Sequence, residues 1–179
     1  MVHNECLGGL KDNEFLESIV KAHEESGVPA VFIHCSLHSY RAAKTDAWRQ
    51  LLGLSSFNHE KHHPITVTVK EPKHPIMQGF KDGWQTPQGE LYRIVKVWPD
   101  ATVLATGVAS EKKDHPCIWV NKKGKARVFG TSLGHHNETM QTSEYLDLVT
   151  RGLLWSCDKI QDNGKPKDGY GPVKKEAAE

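Results

Sequence analysis

The chain has 179 residues, enough for one domain with a single sizeable core. Its 37% hydrophobic and 25% charged residues exclude a disordered or fibrous class, and 23 basic against 22 acidic residues, scattered rather than striped, leave no footprint for nucleic acid or an anionic membrane. The apolar runs are too short to span a bilayer, Met1–Cys6 lacks the parts of a signal peptide, and four cysteines without a Cys-x-x-Cys pair predict reduced thiols in a cytoplasmic setting.

Residues 1–4 read as the end of a strand, followed by a Gly8-Gly9 turn. Asp12 can cap a helix whose Phe15, Leu16, Ile19 and Val20 recur at helical spacing until Gly27 stops it. Ala30-Val-Phe-Ile33 alternates with nothing polar, as a strand covered on both faces does. A turn over His34–Arg41 leads to a short helix, Thr45–Leu52, closed by Gly53. Phe57–His63 reads as a polar histidine loop, Ile65–Val69 as a half-exposed strand, and His74–Phe80 as a turn with helical character. Strands are expected over Glu90–Trp98, Thr102–Ala105, Cys117–Asn121 and Ala126–Thr131. Thr142 or Ser143 caps a last helix, with Tyr145, Leu146, Val149, Leu153 and Leu154 assigned to its buried side. Residues 1–157 are thus one domain and 158–179 a polar tail. The element order predicts a three-layer α/β sandwich with an appended antiparallel portion.

Two β-type segments run straight into histidines: Val31-Phe-Ile-His-Cys-Ser-Leu-His38 and Arg127-Val-Phe-Gly-Thr-Ser-Leu-Gly-His-His136. Ligands of open α/β sheets sit where strands end, so both clusters belong at one functional edge. Imidazole serves there as a general acid–base group or as a ligand for a divalent metal such as zinc, with His34, His38, His59, His62, His63, His135 and His136 drawn from three separate segments. Glu90 and Glu138 are the carboxylates placed to orient a histidine or exchange protons. Cys35 lies where a nucleophile elbow would expose a thiol, with His135 as its base, yet its flanks lack the small residues that such a turn needs; the other reading is an inert cysteine. Trp84 and Trp98 are the tryptophans placed to stack on a sugar ring.

The succession His34-Cys-Ser-Leu-His-Ser39, Trp48-Arg-Gln-Leu-Leu-Gly53, Phe57-Asn-His59, His74-Pro-Ile76, Glu90-Leu-Tyr92, Pro116-Cys-Ile-Trp119, Gly124–His135 and Gly152-Leu-Leu-Trp155 resembles the ThuA-like, trehalose-utilisation family. The resemblance implies a flavodoxin-like, class I glutamine amidotransferase-like fold and a link to sugar and glycoside utilisation. In the amidotransferase relatives the elbow holds a catalytic cysteine and the last strand leads to a catalytic histidine. By that likeness His34 falls nearest the nucleophile position and His135 matches the histidine, an exchange that argues against glutaminase chemistry. Against the family the chain reads as truncated at its N-terminus, with an exposed apolar edge expected beside residues 2–4.

The reading that follows is a protein acting on a small-molecule sugar, glycoside or keto-sugar. It assigns His34, His135 and Glu90 to catalysis, His38, His59, His136 and Trp84 to substrate, and histidine acid–base chemistry, with or without a metal, to the reaction. A non-catalytic carbohydrate-binding module of the same fold is the alternative, and a Cys-dependent amidotransferase or hydrolase the third. Oligomeric state is left open.

Overall fold

In the computed structural model, which describes residues 1–172, helix α1 (Asn13–Ser26) begins where the Asp12 carboxylate accepts the Phe15 N–H at 3.0 Å. It ends at Gly27, whose φ of 69° lets its N–H reach back to the His23 carbonyl. The chain then enters β2 (Ala30–Ile33), turns through one 3-10 turn at His34–Leu37, and forms the short α2 (Ala47–Leu52). Strands β3 (Leu54–His59), β4 (Thr66–Val69), β5 (Tyr92–Val97), β6 (Thr102–Val108), β7 (His115–Lys123) and β8 (Ala126–Thr131) follow. Helices α3 (Asn137–Met140) and α4 (Ser143–Ser156) complete the body, and β1 is the two-residue strand Val2–His3.

Six strands form the main sheet in the order β1-β2-β8-β7-β6-β4, parallel over β1-β2-β8 and antiparallel beyond. The pair β3-β5 forms a separate antiparallel sheet. Side chains of the main sheet feed two cores. On one face Phe32, Trp119 and Val128 pack with Leu16 and Val20 of α1, Trp48 and Leu51 of α2, and Tyr92 of β5. On the other, Val31, Ile118 and Phe129 pack with Tyr145 and Leu148 of α4. The three-layer α/β sandwich with its antiparallel portion is therefore the architecture, and the unbroken apolar run of β2 is apolar because both of its faces are covered.

Two expectations are corrected in detail, and two segments the sequence left without detail are defined. Residues 57–59 are not loop but the end of β3, whose ladder to β5 is interrupted by register shifts that obscure its alternation. Helix α3 carries no apolar period of its own and is too short to betray itself in the sequence. On α4 the buried stripe is Tyr145, Leu148, Gly152 and Ser156, whereas Leu146 and Leu153 are 54% and 41% exposed. A glycine and a serine face the sheet there because α4 approaches so closely that a Cβ on Gly152 would lie 2.2 Å from Phe129. Past residue 157 the described part of the tail folds back, with Ile160 buried and the Arg151 guanidinium donating to the Gly164 carbonyl at 2.9 Å. At the sheet's β1 edge Met1 and Val2 are exposed.

Candidate functional site

Strands β2 and β8 lie side by side with Ile33 opposite Thr131, so their carboxyl ends deliver His34 and the segment Ser132–His136 to the same rim. His34 holds φ at 38°, a left-handed conformation that a residue with a Cβ adopts only under local constraint, costing about 1–3 kcal/mol. The strained elbow tip is thus the histidine, not Cys35. Its Nδ1 donates to the Ser132 carbonyl at 2.7 Å, which fixes the tautomer and turns Nε2 inward.

The third element is the β3-β5 pair, which sets His59 opposite Tyr92. Glu90 lies two residues before the start of β5 at Tyr92, and both are buried. The Glu90 carboxylate collects four imidazoles. Its Oε1 accepts from His62 Nε2 at 3.1 Å and lies 3.1 Å from His59 Nδ1, which is itself bonded to the Glu60 carbonyl at 2.8 Å; its Oε2 faces His34 Nε2 at 3.1 Å and His135 Nδ1 at 3.4 Å. His34 Nε2 also lies 2.9 Å from His135 Nδ1 and 3.2 Å from the Tyr92 hydroxyl. Burial works to raise the Glu90 pKa, but the His34 hydrogen bond and the charge of His59, His135 and His34 overcome it and hold the carboxyl down at about 2. Burial lowers His135, against the upward pull of Glu90. His34 and Glu90 are closed off, whereas the side chains of His135, His59 and His62 are 32%, 43% and 47% exposed. His135 is therefore the step between a buried ionisable pair and solvent.

A cleft of about 460 Å³ opens beside His59 and His62 and continues along Arg93 and Glu111, within the size range of small-molecule sites. A comparable cleft near His74, Lys125, Arg127 and Trp155 lies at the opposite, amino end of β8, away from the Glu90 cluster.

The remaining candidates sort by burial. His38 is 6% exposed, stacked on the Tyr92 ring at 3.9 Å and bonded through Nε2 to the Ser56 hydroxyl, so it supports Tyr92 rather than meeting a ligand. His136 packs edge-on to His62 and His135, and its Nε2 is buried without a hydrogen-bond partner. Trp84 does not stack on a sugar: it is 7% exposed within the core that contains Val67 and Ile76, because its loop pairs back onto Val67. Trp98 is occupied by Lys96, whose ammonium sits 3.3 Å from the ring centroid. Glu138 lies in the first turn of α3, where a negative charge suits the helix end. Cys35 is half-buried, and burial together with neighbouring Cys6 raises its thiol pKa, opposite to what a thiolate nucleophile requires. Tyr92, at the centre of the site, was missed as a functional residue; its i+2 relation to Glu90 was the available signal.

Burial lowers the pKa of His38 from 6.5 to about 4, helped by the charge of Arg41, His59 and His34 against Glu90. Because the folded value is depressed, the unfolded chain takes up the proton first as pH falls. The associated stability is complete above pH 6.5 and is lost between 6.5 and about 4, amounting to about 3 kcal/mol for His38. Urea midpoints measured at pH 7 and pH 5 should fall accordingly, and His38→Gln should flatten that slope. An unchanged slope in the variant would remove His38 as its cause.

Residues 8–156 match the family model described as ThuA, trehalose utilisation. Among solved structures, a ThuA-like protein from Parabacteroides merdae superposes with a TM-score of 0.73 at 19% identity, covering 92% of this chain and 70% of its own. One from Bacteroides uniformis gives 0.67 at 17%, covering 80% and 64%. A cytoplasmic protein from Salmonella typhimurium gives 0.54 at 19%, covering 74% and 56%. At these identities the likeness is one of fold. No curated protein matches the chain. No helix among the described residues is long and apolar enough to cross a membrane.

Proposed function

Since the chain belongs to the ThuA, trehalose-utilisation family, we propose that its Glu90-centred histidine cluster performs acid–base chemistry on a sugar, with a keto-sugar or keto-glycoside as substrate class. The observation that carries this reading is a buried carboxylate with ring nitrogens of His34, His59, His62 and His135 at 3.1–3.4 Å, beside an open cleft that His59 and His62 line. Removing a proton from the carbon next to a carbonyl needs a base that titrates near neutrality, and imidazole does so. Glu90 and His34 hold His135 by its Nδ1 and leave Nε2 as the second proton site of the ring, the division of labour by which a carboxylate orients a catalytic histidine. Tyr92 presents its hydroxyl to the same point, and burial keeps that phenol protonated, able to donate but not to abstract. His59 and His62 border the cleft and are assigned to the sugar hydroxyls.

Exchange of the substrate's α-proton in deuterated buffer, followed by proton NMR on a keto-glycoside, tests the assignment directly. Loss of the α-proton signal with the chain present, faster than in buffer alone, is expected. Saturable binding of the same glycoside without exchange would replace the catalytic reading by that of a carbohydrate-binding module.

A further inference from the structure

We propose that His34, Glu90 and His135 form a binding site for one divalent transition-metal ion, zinc or a neighbour in its row. The inference rests on the same cluster as the acid–base reading and gives it a cofactor class.

The three facing atoms, His34 Nε2, Glu90 Oε2 and His135 Nδ1, form a triangle with edges of 2.9, 3.1 and 3.4 Å. The point equidistant from all three lies about 1.8 Å from each, so an ion about 1 Å out of their plane has the ~2.1 Å distances that zinc keeps to nitrogen and oxygen. The three donor atoms already stand at the separations such an ion requires. His34 carries the usual support of a metal-bound histidine: Nδ1–H is tied to a backbone carbonyl, that of Ser132, leaving the Nε2 lone pair for the ion. That lone pair faces a carboxylate oxygen, two acceptors that only a proton or a cation between them reconciles. Glu90 supplies a negative charge away from solvent. Two imidazoles and one carboxylate suit zinc, iron(II), cobalt or manganese and do not suit calcium or magnesium, which take oxygen. The side chain of His135 is 32% exposed, which leaves room for a further ligand from solvent.

His62, His135 and His136 form a second, more exposed trio that shares His135. It lacks a carboxylate among its members, so the buried triangle is the site assigned. Were the ion bound, His34, Glu90 and His135 would hold it, and it would supply Lewis-acid activation of a water, the base role that His135 has without it.

The test uses the chain after treatment with a chelator, titrated with Co²⁺ under visible absorption and then with Zn²⁺. One Co²⁺ per chain, a d–d band, and displacement by Zn²⁺ are expected. Glu90→Gln and His135→Ala should each weaken the ion by about tenfold or more, whereas His136→Ala should not. Absence of a band, full affinity in Glu90→Gln, or loss of the ion in His136→Ala alone would overturn the assignment. Side-chain ¹⁵N spectra of the unmutated chain provide the check that needs no variant: Zn²⁺ should shift the His34 Nε2 and His135 Nδ1 resonances, and unmoved resonances would overturn it. Metal binding without α-proton exchange would keep the ion site and remove the sugar chemistry. Exchange undiminished in a chelated chain that takes up no cobalt would do the reverse.

Discussion

Replacing His135 by alanine lowers α-proton exchange on a keto-glycoside by about 10²–10⁴-fold, the range that a positioned acid–base group supplies. Cys35→Ser leaves that rate essentially unchanged. The difference follows from where each side chain stands. His135 is the partly exposed partner of the buried His34–Glu90 pair, within 2.9 Å of the first and 3.4 Å of the second. Cys35 has a thiol whose pKa burial raises, and its preceding residue, not itself, occupies the strained elbow. Single-turnover rates for the two variants, with the urea midpoint of each as a control for folding, check the prediction. Loss of turnover in the cysteine variant alone would bring back the covalent hydrolase, because a nucleophile and not a proton carrier would then be the missing part.

The second large effect is on stability, at Gly130 in β8. This glycine lies opposite Trp119 of β7, and a Cβ there would sit 2.2 Å from the indole. Trp119 is fully buried and donates its ring N–H to the Leu52 carbonyl at 2.7 Å, so it cannot swing aside without breaking that bond and displacing α2. Gly130→Ala should cost about 3–4 kcal/mol, combining overpacking with a lost buried hydrogen bond. That is a large share of the ~5–15 kcal/mol that a domain has. Gly9→Ala, where the added Cβ meets nothing within 4 Å, should change the midpoint little. Trp119→Phe in the Gly130→Ala background should recover part of the loss by shortening the ring; no recovery would show that the strain lies elsewhere.

The parallel half of the fold was legible because its signals are local and agree with one another. Asp12 and Gly27 bracket α1, β2 is apolar throughout, and two strands end in histidine. The convergence of His34 and His135 followed from strand ends alone. Glu90 was assigned to catalysis ahead of Glu138, but its place at the centre of four histidines was not legible, because it depends on the β3-β5 pairing, which register shifts hide. His38 and Trp84 show the opposite failure. Each has a side chain suited to a ligand, but a ring stacked on Tyr92 and a loop folded onto Val67 place them inside, and burial of that kind is decided by tertiary packing rather than by neighbours in sequence.

His34 bonds to partners 98 and 101 positions further along the chain, and to Tyr92 58 positions away. No hairpin or helix pair contains the cluster; it exists only after β2 has docked against β8, the crossover that closes the longest loop between main-sheet neighbours. Assembly of the site therefore requires closure of that long loop, and loss of the site reports that the β2-β8 seam has opened. Imidazole resonances at this rim would report on the integrity of the whole sheet, and a substitution deep in the β2-β8 core, far from any imidazole, should silence the site whenever it loosens that seam.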